Sequence, residues 1–153
     1  MKTFEENLKS LPTAEKTVLL RLYNERDELV SIIPNIPGRQ GSVRVFRHIA
    51  DKKGVIDFEA AKEGLRIFEE KVEDARKNPG KHQKLELLLG MKSSEILRIE
   101  NVECSCPDLL ENLSGQVASA KECKVFIELL NQGKIRAAEK VNNNWEPQPY
   151  VID

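Results

Sequence analysis

Two groups of residues in this chain have types and spacings suited to chemistry. The first is Arg39, Gly41, Ser42 and Arg44, within the run Pro37-Gly38-Arg39-Gln40-Gly41-Ser42-Val43-Arg44. Glycines on both sides of Arg39 permit a tight turn, and Ser42 falls where a helix is expected to begin, with Arg44 just inside it. Backbone N–H groups at such a turn, flanked by guanidinium groups, suit a phosphate or carboxylate. The same residues also suit a plain strand-to-helix turn in which glycine supplies the backbone angles and serine the cap. The spacing favours that plainer reading, because it matches neither the dinucleotide fingerprint nor the P-loop.

The second group is C-terminal: Arg136, Glu139, Lys140, Trp145 and Tyr150 are candidates for a protein contact. Trp145 is the only tryptophan in the sequence. It joins a large apolar face to an N–H donor, a combination enriched at interfaces. Pro147 and Pro149 lack N–H donors and place the last strand at a sheet edge. Against this stands the reading of Arg136, Glu139 and Lys140 as ordinary exposed strand residues and of Trp145 as a packing anchor.

No catalytic set accompanies either group. There is no Ser/His/Asp arrangement and no metalloprotease helix motif. Cys104 and Cys106 have the look of half a zinc site, but His48 and His82 stand at no ligand spacing to them, so neither metal nor cofactor is expected. The three cysteines are an odd number and fit a reducing cytoplasm better than a disulfide framework. A net charge of −1 and a pI near 6.2 supply no basic field for nucleic acid. No apolar run approaches the roughly 18 to 20 residues of a membrane span, and the polar stretch Met1–Asn7 lacks a signal-peptide core.

The elements that would position these residues follow from hydrophobic period. Phe58, Ala61, Leu65, Phe68, Val72 and Ala75 recur at steps of three and four, which predicts one continuous amphipathic helix over Asp57–Lys77 with Phe58, Leu65, Phe68 and Val72 buried. Asp57 caps it, and Asn78-Pro79-Gly80 ends it. Glu59 with Lys62, Glu63 with Arg66 and Glu73 with Lys77 are expected ion pairs on its outer face. Gly64 borders the stripe and implies close approach of another element. Thr3 and Glu6 form a capping box for a short first helix. Thr17–Tyr23 and Leu29–Ile33 alternate as an antiparallel hairpin, Leu85, Leu88 and Leu89 suit a short helix ending near Gly90, and Glu95–Asn101 reads as a further strand. Ser119 and Glu122 suggest a second capping box, opening a helix that carries Cys123, Phe126, Ile127 and Leu130 on one face, with a hairpin turning at Asn142-Asn143-Asn144. The fold class is α+β: a small antiparallel or mixed sheet with helices packed on one face, plus a C-terminal helix and β-hairpin module. The expected divisions are a domain over 1–103, a connector over 104–118 and the module over 119–153. Truncation after Asn101 is expected to leave the first unit folded.

Two resemblances add to this reading. Ile127, Leu129-Leu130, Gly133, Arg136, Ala138-Glu139-Lys140-Val141 and Trp145, within residues 125–146, resemble the N-terminal region of bacterial tetrahydrodipicolinate N-succinyltransferases. Those enzymes continue into a left-handed β-helix of hexapeptide repeats that holds the coenzyme A site. No such repeat occurs here, so the resemblance implies a shared helix-plus-hairpin module and no catalytic residue. Residues 1–100, chiefly Pro37 to Leu89 with the Ala61-Lys62-Glu63-Gly64-Leu65 helix segment, resemble small bacterial proteins of a family without assigned function. The favoured functional expectation is a cytoplasmic, non-catalytic interaction or accessory protein with a protein partner or self-association. The alternative is an anion-binding protein or enzyme of amino-acid (lysine) or acyl metabolism, using the Gly38–Arg44 loop.

Overall fold

The switch from period two to period 3.6 along the chain recurs in the computed structural model, which describes residues 3–50, 53–104 and 120–147. Helix α1 (Phe4–Lys9) starts at Thr3, whose hydroxyl accepts the Glu6 N–H while the Glu6 carboxylate accepts the Thr3 N–H. Strands β1 (Thr17–Tyr23) and β2 (Leu29–Pro34) form the expected hairpin, with Asp27 at φ 62 in its turn. There follow α2 (Gln40–Ala50), β3 (Val55–Ile56), α3 (Phe58–Phe68), α4 (Glu70–Lys77), α5 (Gln83–Leu89) and β4 (Leu97–Glu103). The last described segment holds α6 (Ala120–Asn131) and a hairpin of β5 (Ala138–Val141) and β6 (Asn144–Pro147). The larger sheet has the order β2-β1-β4-β3 and is antiparallel throughout, so the fold is α+β with a separate C-terminal hairpin. None of the described helices is long and apolar enough to cross a membrane.

Alternation along β1 sends side chains to two different cores. Leu20 and Leu22 join Ile33, Ile56 and Leu97 beneath the helices α1 to α5, where Phe46, Phe68 and Leu88 fill the centre. Leu19, with Ile32 and Val102, faces the other way and is covered by Leu129, Ile135 and Val141 of the C-terminal segment. The sheet therefore has helices on one face and the module on the other. The larger sheet and the last described segment, expected from sequence to be separate units, thus share this second buried cluster.

Two expectations need correction, and one element was not expected. The helix over Asp57–Lys77 is not continuous: Glu69 stands at φ 44 and ψ −112 between α3 and α4. No sequence signal marks that break. It coincides with the docking of α1, whose Phe4 N–H is accepted by the Glu70 carboxylate at 3.0 Å and whose Phe4 ring stacks on Phe68 at 5.1 Å. Tertiary contact thus overrides local helix propensity. As a result Phe58 and Leu65 are only half-buried, whereas Gly64 and Ile67 turn inward with Phe68 and Val72. Secondly, β3 was unforeseen, because two residues are too few to show an alternation. Lastly, α2 begins at Gln40, two residues before Ser42, so Ser42 is not its cap.

Other expectations hold. A Cβ on Gly64 would lie 2.8 Å from Ile49 Cδ1 and 3.1 Å from Leu88 Cδ1, which is the close approach of α2 and α5 that the sequence implied. Glu59 pairs with Lys62 and Glu63 with Arg66, while Glu73 takes Arg76 rather than Lys77. Cys106, Ser119 and Tyr150 lie outside the described residues, as does most of the connector.

Candidate anion-binding site

The end of β2 and the start of α2 bring Arg39 and Ser42 to the wall of a cleft of about 490 Å³. Its opposite wall is built some 40 residues later in the sequence by Lys71 of α4, the Gly80–His82 loop and Lys84 of α5. Gly80 makes the loop possible, since its φ of 89 is a left-handed value that other residues adopt at a penalty. Its N–H donates to the Glu86 carboxylate at 2.6 Å, which fixes the loop against α5.

Lys84 occupies the middle of the site. It lies one turn from the buried Leu88 and on the face of α5 that meets β2, and its Nζ donates to Ser31 Oγ at 2.5 Å. Burial, reinforced by repulsion from Arg39, pushes this ammonium down to about 8, and Glu146 of β6 opposes the shift in part. A second concavity of about 510 Å³ continues past Lys84 and Arg39 toward Asn142 and Glu146 of the hairpin. The two cations stand where both spaces meet.

At the rim, the Asp74 carboxylate accepts from Lys81 and Asn78 at 2.8 Å and contacts His82 Nε2 at 2.5 Å. The Lys81 bond, followed by that of His82, holds Asp74 well below the usual carboxylate range. Lys81 and His82 are therefore already answered by an acid. Arg39, Lys71 and Lys84 are not: among the described residues no carboxylate lies within salt-bridge distance of any of them.

Only two of the four residues singled out from the Gly38–Arg44 loop reach this cleft. A Cβ on Gly41 would lie 3.0 Å from Phe4 Cζ, so this glycine lets α1 pack on α2. The Arg44 guanidinium donates to the carbonyls of Leu8 and Leu11 at 2.6 Å and of Pro12 at 3.1 Å, tying down the chain after α1. Sequence reasoning missed Lys71, Lys81, His82 and Lys84. Each alone reads as an exposed charge, and the one available signal was three basic residues crowded after Pro79-Gly80.

The C-terminal candidates divide as well. Trp145 is 69% exposed and sits opposite Lys140 across the hairpin. Arg136 is exposed. Glu139 is not a surface residue: it is 6% exposed and faces Arg21. It alternates with Lys140, so it shares the inward face of β5 with Val141.

Fold and cleft together define a small α+β protein with a basic groove along the helical side of its sheet. Residues 4–101 match the family described as an uncharacterized protein conserved in bacteria (DUF2322), and the chain belongs to that family. No curated protein and no solved structure matches it. The family resemblance read from residues 1–100 is thus met, and Arg39, Lys71 and Lys84 all lie within the matched segment. The resemblance of residues 125–146 to the succinyltransferases finds no support, since the match ends at residue 101 and no curated relative extends it.

Proposed function

We propose that this protein binds a small anion, bearing a phosphate or carboxylate group, in the cleft between α2, α5 and the Gly80–His82 loop. The observation that supports this reading is the convergence of Arg39, Lys71 and Lys84 on one concavity with no carboxylate within salt-bridge distance of them among the described residues, Glu146 acting on Lys84 only from farther off. On α3 and α4, by contrast, Lys62, Arg66 and Arg76 are each answered by an acid three residues away. A partly buried lysine held beside an arginine destabilises the folded chain, and a bound anion removes that penalty. Arg39 would clamp the anion with its planar fork, and Lys84 would supply a point charge from the cleft floor. Titration calorimetry with inorganic phosphate and pyrophosphate at low ionic strength tests this. Arg39→Ala should weaken binding about tenfold, a change of roughly 1.4 kcal/mol. Equal affinity in Arg39→Ala and the unaltered protein, or no binding by either anion, would refute it.

A second reading, a non-catalytic contact with another protein or a second copy, draws on the exposure of Trp145 on the outer face of the hairpin. Exposed tryptophan of this kind is uncommon without a partner. Sedimentation and pull-down comparison of Trp145→Ala with the intact chain tests it, and identical mass and partners would sink it.

A further inference from the structure

We infer that Lys84 is a nucleophilic amine that condenses with the carbonyl group of an anionic ligand, an α-oxo acid or a phosphorylated aldehyde, seated on Arg39. This deepens the anion-binding reading and rests on it. The geometry has three parts. Lys84 lines both concavities, so a ligand in either one lies beside it. Its bond to Ser31 Oγ fixes the amine, because Ser31 is itself buried in β2. Arg39 lines both spaces and has no carboxylate partner among the described residues, which leaves its guanidinium for the ligand's anionic group.

The groups that set the amine's charge are Arg39 and Glu146. Arg39 and burial favour the neutral form, Glu146 favours the ammonium, and the first two prevail. With a value of about 8, roughly a quarter of Lys84 is free amine at pH 7.5, against about one part in a thousand for an ordinary lysine. A desolvated lysine next to another cation is a recurrent way of activating an amine toward carbonyl carbon.

In the step itself, the Nζ lone pair forms a bond to the carbonyl carbon while the C–O π pair moves to oxygen. A proton passes from nitrogen to that oxygen and gives a carbinolamine. The nitrogen lone pair then expels the hydroxyl, which leaves as water with one further proton. Ammonium and carbonyl thus yield a protonated imine and one water, with no oxidant or reductant.

Reductive trapping tests this on the full chain. The protein is incubated with glyoxylate or with acetaldehyde, an uncharged counterpart, in the presence of sodium cyanoborohydride, and the alkylated lysines are located by peptide mass spectrometry. Inorganic phosphate binding is measured on the same preparation. With glyoxylate, Lys84 should be alkylated at least about tenfold faster than the exposed Lys77, because Arg39 seats the carboxylate where the amine can reach the neighbouring carbonyl. Phosphate should protect Lys84, acetaldehyde should prefer it severalfold less than glyoxylate does, and Arg39→Ala should remove the difference between the two aldehydes. If phosphate binds but Lys84 reacts no faster than Lys77, the amine role is overturned and the anion site stands. If Lys84 reacts fast with both aldehydes alike, an anionic carbonyl ligand is overturned. Absence of both phosphate binding and glyoxylate preference overturns the inference together with the anion-binding reading.

Discussion

Arg21 and Glu139, 118 residues apart in sequence, meet in a buried pair: Arg21 Nε lies 3.1 Å from Glu139 Oε2, and Nη2 lies 2.8 Å from Oε1. Arg21 is 4% exposed and Glu139 is 6% exposed. The side-on geometry occupies both carboxylate oxygens, and Glu100 adds a looser contact at 3.5 Å. Removing one partner leaves a charge stranded between the sheet and the hairpin. Glu139→Gln should therefore destabilise the fold by about 3 to 5 kcal/mol, whereas Arg21→Met with Glu139→Leu should recover much of that loss. Urea unfolding of the three proteins measures it. A loss below about 1 kcal/mol in the single variant would mean that hairpin and sheet part company in solution.

The same pair bears on the truncation after Asn101. Such a chain lacks Glu139 and the residues Leu129, Ile135 and Val141 that cover Leu19 and Ile32. Its expected outcome is therefore a less stable and more aggregation-prone species than the sequence suggested, measurable by thermal melting and light scattering.

Phe68 is the junction of α1, α2 and α3. Its ring stacks on Phe4 and meets Phe46 edge to face at 6.5 Å. Phe68→Ala should cost about 3 to 5 kcal/mol, and it should also loosen α1, whose own residues are not fully buried. Protection of the α1 amides from hydrogen exchange should fall more steeply than that of β1. Equal loss in both elements would show that α1 is held chiefly by its polar ties, Glu70, Arg44 and the bond from Asn7 Nδ2 to the Ile67 carbonyl.

Lys84→Met should stabilise the protein at pH 7, an unusual sign for a partly buried position, by about 1 to 2 kcal/mol. The pH dependence follows from the lowered value of about 8. Below that, the folded chain holds a charge that burial and Arg39 disfavour. Between about 8 and the unfolded value near 10.5 the unfolded chain binds the extra proton, so the original protein gains stability as pH rises and the advantage of methionine shrinks. A constant difference between the two proteins from pH 6 to pH 10 would contradict this assignment.

Tyr23 supplies the opposite dependence. Burial, then the bond its hydroxyl donates to Glu100 at 2.8 Å, push the phenol up to about 12. Neutral Tyr23 is thus favoured by folding, and its contribution is complete below pH 10 and lost as pH rises from 10 to 12. Absorbance at the phenolate band, taken as the difference from Tyr23→Phe, should rise late, and Glu100→Gln should bring the midpoint down. A Tyr23 midpoint at 10 in the unaltered protein would show that neither the burial nor the bond to Glu100 holds in solution.

What could be read from sequence was whatever repeats within one element. The β1–β2 hairpin, the inward Gly64 and the terminal hairpin all announced themselves through periods of two or 3.6 or through turn residues. What could not be read was set by residues far apart. Glu69 looks like any helical glutamate until Phe4 and Glu70 meet beside it. Glu139 looks like an exposed strand residue because nothing near it in sequence says that Arg21 is waiting. The cleft failed for the same reason: Arg39 and Ser42 were visible as a turn, but Lys84 belongs to the site only after α5 has folded back onto β2.

The two-sided sheet also has a consequence for how the chain is made. Everything required for the helical core lies before residue 104, while the other face waits for residues 129–141. At about 5 to 20 residues per second, the ribosome needs a few seconds to add what separates the end of β4 from Glu139. Over that interval the nascent chain carries a nearly finished sheet with Leu19, Ile32 and Val102 facing outward and Arg21 met only by the looser contact with Glu100. The order of synthesis therefore leaves an apolar sheet face of the first two thirds of the chain open at the exit tunnel, and the arrival of the hairpin closes it.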